Sequence, residues 1–287
     1  MPNPLELRTR IKSVDNTRQI TRAMQLVAAS RMRRAQEAVE SSRPYSRHMT
    51  DVVHRLVQAY GSESLPPLLR PRPIKRTAIV VMTTNRGLAG PLNTNIVRAA
   101  ISEIDELGGD RISLMVVGRK GQAALASSHN IQTVFNEMSD QPTRADVAPI
   151  VQAVTAGYRE GDFDEVRVVY PEFVNTLTQR PSSSRVMPVL LAGEQQQARE
   201  LDMILEPDAS TVLEAIVPKY VEMTFYRALL ELAASEQSAR MVAMRAATEN
   251  ATELIESLRR AYNKLRQARI TSEIIDIASG AKALADA

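Results

Sequence analysis

The chain has 287 residues, 44% apolar and 24% charged, with a formal net charge of +3, a composition that permits a sizeable core and excludes wholesale disorder. The absence of Cys excludes disulfides, thiolate nucleophiles, cysteine-ligated zinc and iron–sulfur clusters. Three scattered histidines, His48, His54 and His129, do not form a histidine-rich metal site, and no apolar run approaches the length of about 18 residues that a membrane span needs.

The first segment begins Met1-Pro2-Asn3-Pro4, without the apolar core of a secretory signal. Residues 4–58 contain no Gly, and apolar or small side chains recur every three or four positions: Leu7, Ile11, Val14, Thr17, Thr21, Met24, Ala28, Met32, Ala35 and Val39. That heptad seam, continued to Leu56, predicts a helix that winds around another helix. Such a helix would be roughly 80 Å long, and Arg43-Pro44-Tyr45 is the expected place for a kink. Residues 1–55 carry a net charge of +6, so this arm should face something acidic, either nucleic acid or protein.

The proline-rich stretch Leu65-Pro66-Pro67 through Pro73 reads as a linker into a middle segment of different character. Residues 77–82, 112–117 and 166–170 are short, β-branched and almost continuously apolar, which predicts strands buried on both faces. Helical stretches at about 91–107, 119–128 and 143–160 alternate with them, the pattern of a Rossmann-like α/β layer with a parallel sheet. Residues 186–191 read as a final strand, with Pro188 placing it at an edge. The middle, residues 56–209, carries a net −3.

Glu206-Pro207-Asp208 followed by Ala209-Ser210 predicts the start of a second long helix. Its seam runs from Leu213 through Leu230, Met244 and Ile255 to Leu265, with Pro218 in the opening turns. The economical arrangement pairs the two terminal helices with each other, antiparallel, with the α/β domain inserted between them. The expected divisions are 1–60, 74–207 and 208–287.

Candidate chemistry is sparse. Residues 83–93, Thr-Thr-Asn-Arg-Gly-Leu-Ala-Gly-Pro-Leu-Asn, end the first strand and open a helix, where phosphate binds in doubly wound folds. They match neither G-x-G-x-x-G nor a P-loop, and a structural turn is the preferred reading. The same holds for Gly118-Arg119-Lys120-Gly121. Asp162, Asp164 and Glu165 beside Gly161 read as a solvated turn. No nucleophile–base pair stands out, so no catalytic residue, cofactor or metal is assigned. The basic clusters Arg31, Arg33, Arg34 and Arg259, Arg260, Lys264, Arg266, Arg269 would give antiparallel helices a positive flank. They lack the aromatic interleaving of single-strand nucleic-acid binders.

Several stretches together carry a family resemblance. Residues 11–24, Ile-Lys-Ser-Val-Asp-Asn-Thr-Arg-Gln-Ile-Thr-Arg-Ala-Met, and 27–30, Val-Ala-Ala-Ser, resemble the N-terminal helix of F-type ATP synthase gamma subunits. Residues 234–244, 246–251 and 262–271 are similar to the C-terminal helix, and Arg86-Gly87-Leu88-Ala89-Gly90 resembles the central turn. The turn departs from the usual family form, Arg-Gly-Leu-Cys-Gly-Gly, at Ala89 and Pro91.

The resemblance implies an antiparallel coiled coil inside a ring of three alpha and three beta subunits. It further implies a foot on the epsilon subunit and c-ring, one copy per complex, and rotation that couples proton or sodium flow to the catalytic beta subunits. By the same resemblance Met24 would pass a beta-subunit lever, Arg240 and Gln267 would hydrogen-bond the alpha–beta ring, and Glu206 would approach the c-ring loops. Arg31, Arg33 and Arg34 would face acidic lever loops. The expected setting is the cytoplasmic face of a bacterial plasma membrane, reached only through partners, with no nucleic acid. The alternatives are a nucleotide-binding α/β enzyme with a coiled-coil arm and, more weakly, a coiled-coil nucleic-acid binder.

Overall fold

The computed structural model describes residues 4–60, 68–69, 72–188, 206 and 209–285. In chain order these give α1 (Pro4–Tyr60), β1 (Thr77–Met82), α2 (Leu92–Leu107), β2 (Ile112–Val117), α3 (Arg119–Leu125), β3 (Ile131–Phe135), α4 (Arg144–Glu160), β4 (Glu165–Phe173), β5 (Gln179–Met187) and α5 (Ala209–Ala285). Pro44 and Pro218 lie inside α1 and α5 without interrupting either helix. The chain packs into two compact units. The smaller combines α1 up to Val27 with α5 from Met241, and the larger spans Ala28–Arg240.

In the larger unit the strands form one sheet in the order β3-β2-β1-β4-β5. β1 pairs in parallel with both β2 and β4, β3 in parallel with β2, and β5 antiparallel with β4. All six residues of β1 are buried, as expected of a central parallel strand covered on both faces. A capping box of Thr143 and Asp146 opens α4, and Gly161 closes it in the left-handed conformation, the usual helix end signals.

The expected strands and helices fall close to β1, β2, β4, α2, α3 and α4. β3 is additional. The expected final strand is corrected: β5 begins at Gln179, and only Val186 and Met187 of it had an apolar signature. Residues 189–191, and most of the expected linker at 65–73, lie outside the described residues.

The same unit holds α1 and α5 antiparallel. Val39 clusters with Leu230 and Ala234, while Thr50, further along α1, lies beside Tyr220, earlier on α5. Residues 228–240 of α5 are buried almost all round, because this stretch packs against more than one neighbour: Ser235 Oγ donates to Pro171 O and Ser238 Oγ to Thr176 O, tying it to β4 and to the turn before β5.

In the smaller unit the helices meet along a narrow seam. The hydroxyls of Thr21 and Thr248 share a 2.8 Å hydrogen bond, and Leu7, Met244, Ala251 and Ile255 are buried. The better-covered positions on α5 include 244, 248, 251, 255, 258, 262 and 265, alternating steps of four and three that define a coiled-coil stripe, flanked by 241–243, 247 and 252 where it is wider. From 266 to 279 every residue is exposed.

Candidate functional site

The loops at the carboxyl ends of the parallel strands are where an open α/β sheet binds ligands, above all where the strand order reverses. Here that point lies between β1 and β4. Residues just past β1 already occupy the N–H groups opening α3. Arg119 N donates to Asn85 Oδ1 at 3.1 Å, Lys120 N to Thr84 O at 3.1 Å, and Gly121 N to Thr83 Oγ1 at 2.8 Å. A phosphate would have to displace all three. The two glycines serve this crossing: a Cβ on Gly118 would lie 2.2 Å from Thr83 O, and one on Gly121 would lie 2.6 Å from Thr83 Oγ1. Gly118-Arg119-Lys120-Gly121 is thus a packing turn.

The turn at 83–93 is built in the same way. Thr84 N and Oγ1 contact Asn93 Oδ1, and Thr84 Oγ1 donates to Arg86 O at 2.6 Å. Leu88, 62% exposed, has φ of 64° and Gly90 has φ of 55°. Leu88 therefore holds a backbone conformation that L-residues with large side chains avoid.

Arg240 is 8% exposed, and one of its terminal nitrogens, Nη2, reaches Gly87 O at 3.2 Å and Glu236 Oε1 at 2.5 Å. Arg31 Nη1 lies 2.8 Å from Asp140 Oδ2, and Arg86 Nη1 lies 3.3 Å from the same oxygen. Arg33 and Arg34 are exposed. Met24 is half-buried on α1, Gln267 is exposed on α5, and Glu206 is exposed. The larger unit therefore brings Arg31 and Arg240 to loops near the carboxyl end of the sheet. Met24 and Gln267 belong to the smaller unit.

Two acids of the expected solvated turn are corrected. Asp162 is exposed, but Glu165 is 1% exposed. It sits on β4 in ion pairs with Arg167 at 3.2 Å and with Arg185. Arg167 also reaches Glu103 of α2 at 2.9 Å. Desolvation opposes the Arg167 charge, but the hydrogen bond and charge of Glu103, with Glu165, more than restore it and raise its pKa. Asp164 accepts from the N–H groups of Lys75 and Arg76 and pairs with Arg72 at 2.7 Å. Burial alone would raise this carboxyl. The two backbone donors and the guanidinium outweigh that and hold it below the usual carboxylate range.

Asp140, Glu103 and Glu231 had no motif to draw attention to them. Glu231, 1% exposed, pairs with Arg227 at 2.9 Å. Its one sequence signal is an acid set among Leu229, Leu230, Leu232 and Ala233. Among the described residues there is no cluster of acids and histidines able to hold a metal, and no helix long and apolar enough to cross a membrane.

The family model described as ATP synthase matches residues 3–284. The ATP synthase gamma chain of Acidithiobacillus ferrooxidans is 43% identical over 290 residues, 99% of this chain and 100% of that one. That of Legionella pneumophila (strain Corby) is 39% identical over 289 residues, again 99% and 100%. A chain in the Euglena gracilis mitochondrial ATP synthase, solved as OSCP/F1/c-ring in rotational state 3, superposes with a TM-score of 0.71. It is 20% identical, and the match covers 98% of this chain and 94% of that one. A chain in the central stalk and c-ring structure from Tetrahymena thermophila gives 0.61 at 23% identity, over 79% and 99%. The two solved structures speak to the fold, the bacterial relatives to descent, and the family model to nearly the whole chain: it belongs to the ATP synthase gamma-chain family.

Proposed function

We propose that this chain is the central rotor shaft of a proton- or sodium-translocating F-type ATP synthase. The observation that carries the reading is the match to gamma chains over almost the full length of both partners. Helices α1 and α5 form the shaft, and residues 74–207 form a foot. Three alpha and three beta subunits surround the shaft, while the epsilon subunit and the c-ring hold the foot, with one copy of the chain per complex. The shaft is not symmetric, so each turn presents different faces to the three catalytic beta subunits and shifts each through states of different nucleotide affinity. The chain itself catalyses nothing and lies peripherally at the cytoplasmic face of a bacterial membrane, touching it only through partners.

Within this reading Met24 passes a beta lever, and Gln267 hydrogen-bonds the alpha–beta ring from an exposed position on α5. Arg240 would contribute there while its Nη2 holds Glu236 and the Gly87 carbonyl, through the remaining donors of its guanidinium. Arg33 and Arg34 meet acidic lever loops, with Arg31 partly neutralised by Asp140. Glu206 approaches the c-ring. Complementary charge of this kind steers assembly and weakens with salt.

The test is ATP hydrolysis by a purified alpha–beta ring with and without the chain, together with the native mass of the product. One copy joining the ring, with sustained turnover depending on it, is the expected result. A ring whose mass and turnover ignore the chain overturns the reading. Stoichiometric nucleotide binding by the isolated chain would then favour the enzyme alternative.

A further inference from the structure

The strained turn at 86–90 is gripped from two helices. From α5, Arg240 donates to Gly87 O while its charge is held by Glu236. From α1, Arg31 shares the Asp140 carboxylate oxygen with Arg86. Asp140 lies in the β3–α4 connection, so the second grip also ties in the far side of the sheet. Behind the turn, Asn93 and Thr84 fix its two ends to each other, and Ala89 is buried. A non-glycine residue at φ of 64° persists only where its surroundings over-determine it, and these contacts are what over-determine it.

We propose that the turn Arg86–Gly90 is a buckle: Arg240 fastens it to α5 and Asp140 fastens it to Arg31 of α1, so that these two polar nodes pass twist in the helical pair to the carboxyl end of the β-sheet layer, beside the shared apolar core and the Ser235 and Ser238 bonds to β4 and its turn. The first half of the statement concerns this chain alone; the second rests on the rotor reading. The nodes differ in strength. Arg31, Asp140 and Arg86 are each more than a third exposed, and exposed pairs contribute little. The Arg240 node is buried, so its bonds are worth more. The buckle is therefore tight on α5 and compliant on α1.

The test uses the full chain as Arg240→Met, Arg240→Lys, Asp140→Asn and the double variant Arg240→Met/Asp140→Asn. The first measurement is amide hydrogen exchange in residues 84–93, with β1 as internal control. Thr84 N–H and Leu92 N–H, bonded within this turn, should exchange about tenfold faster in Arg240→Met, the factor that loss of a bond worth about 1.4 kcal/mol gives. Asp140→Asn should have a smaller effect, and the double variant should differ from the product of the singles, because both grips act on one turn. Arg240→Lys keeps the charge beside Glu236 but lacks the planar fork, and should fall between wild type and Arg240→Met. Exchange at 84–93 within twofold of wild type in the double variant, or acceleration equally large in β1, overturns the buckle.

The second measurement is the angular fluctuation of a label on residues 74–207 when the chain stands in an immobilised alpha–beta ring. A wider spread in Arg240→Met than in wild type is expected. Faster exchange with an unchanged spread makes the turn a static brace and overturns the torque path. If the wild-type chain fails to join the ring, the rotor reading fails, while hydrogen exchange still decides whether the turn is gripped.

Discussion

Gly118 has φ of 91°, and a Cβ there would lie 2.2 Å from Thr83 O, a backbone atom that cannot rotate away. Gly118→Ala should therefore destabilise the larger unit by about 3 kcal/mol, combining overpacking with a strained backbone, and chemical denaturation would show it. A loss under about 1 kcal/mol would mean that the β1–α3 crossing can open without cost. Asp164 supplies a prediction in pH. Its carboxyl is held below the ordinary range by the N–H groups of Lys75 and Arg76 and by Arg72, against the opposing effect of burial. A depressed folded-state pKa stabilises above the unfolded value, and that contribution disappears as pH falls through the folded value. Asp164→Asn should thus cost about 1–2 kcal/mol at neutral pH. The gap to wild type should close below about pH 4, where carboxylates protonate. A gap that stays constant down to acid pH would show that hydrogen bonding, and not charge, accounts for Asp164.

Among the elements, β4 carries most of the polar connections of the sheet. Glu165 lies between Arg167 and Arg185 of neighbouring positions on β4 and β5, and Arg167 bridges on to Glu103 of α2. Glu165→Gln should cost about 2–4 kcal/mol, since removing one partner of a buried pair leaves opposing charge poorly compensated. Double-mutant cycles with Arg167 and Arg185 would show to which arginine the loss belongs. This network explains what could and could not be read beforehand. β1 announces itself because both its faces are buried and its residues are almost all apolar, and β2 and β4 because each holds an apolar run rich in β-branched residues, Leu114–Val117 and Val166–Tyr170, the latter broken only by Arg167. β3 is five residues at an exposed edge, too short for a pattern. β5 reads Gln-Arg-Pro-Ser-Ser-Ser-Arg before its two apolar residues and is a strand because it pairs with β4, a tertiary cause that local propensity does not contain. The heptad seams marked the long helices, while their antiparallel pairing followed from economy, since each lacked another partner of its own length. The phosphate-like turns carried the right position in the fold but the wrong chemistry. Asp140 could not be found at all, because its significance depends on Arg31 and Arg86 arriving from 109 and 54 positions away.

Across the whole molecule, the absence of any assigned catalytic group is compatible with a large effect on partners, because a shaft acts by the face it presents. Met24 offers the sharpest case. It is half-buried in the narrow seam of the smaller unit, where a lysine stem can lie along the apolar stripe and carry its ammonium to water. Met24→Lys should therefore cost the coil no more than about 1 kcal/mol. On the proposal that Met24 passes a beta lever, the added charge would meet acidic groups and stabilise one rotary position over the others. Because the gain is an attraction between exposed or half-exposed charges, it should weaken with salt over the range in which the Debye length falls from about 10 Å to about 3 Å. Hydrolysis should continue while ion transport per ATP falls, and raising the ionic strength should restore part of the ratio. Thermal denaturation of the variant chain, measured alongside, separates uncoupling from unfolding: a wild-type melting point with a reduced transport ratio supports Met24 as a partner contact. A wild-type ratio would show that the lever does not touch this position, and a lowered melting point with proportional loss of both activities would make Met24 a packing residue only.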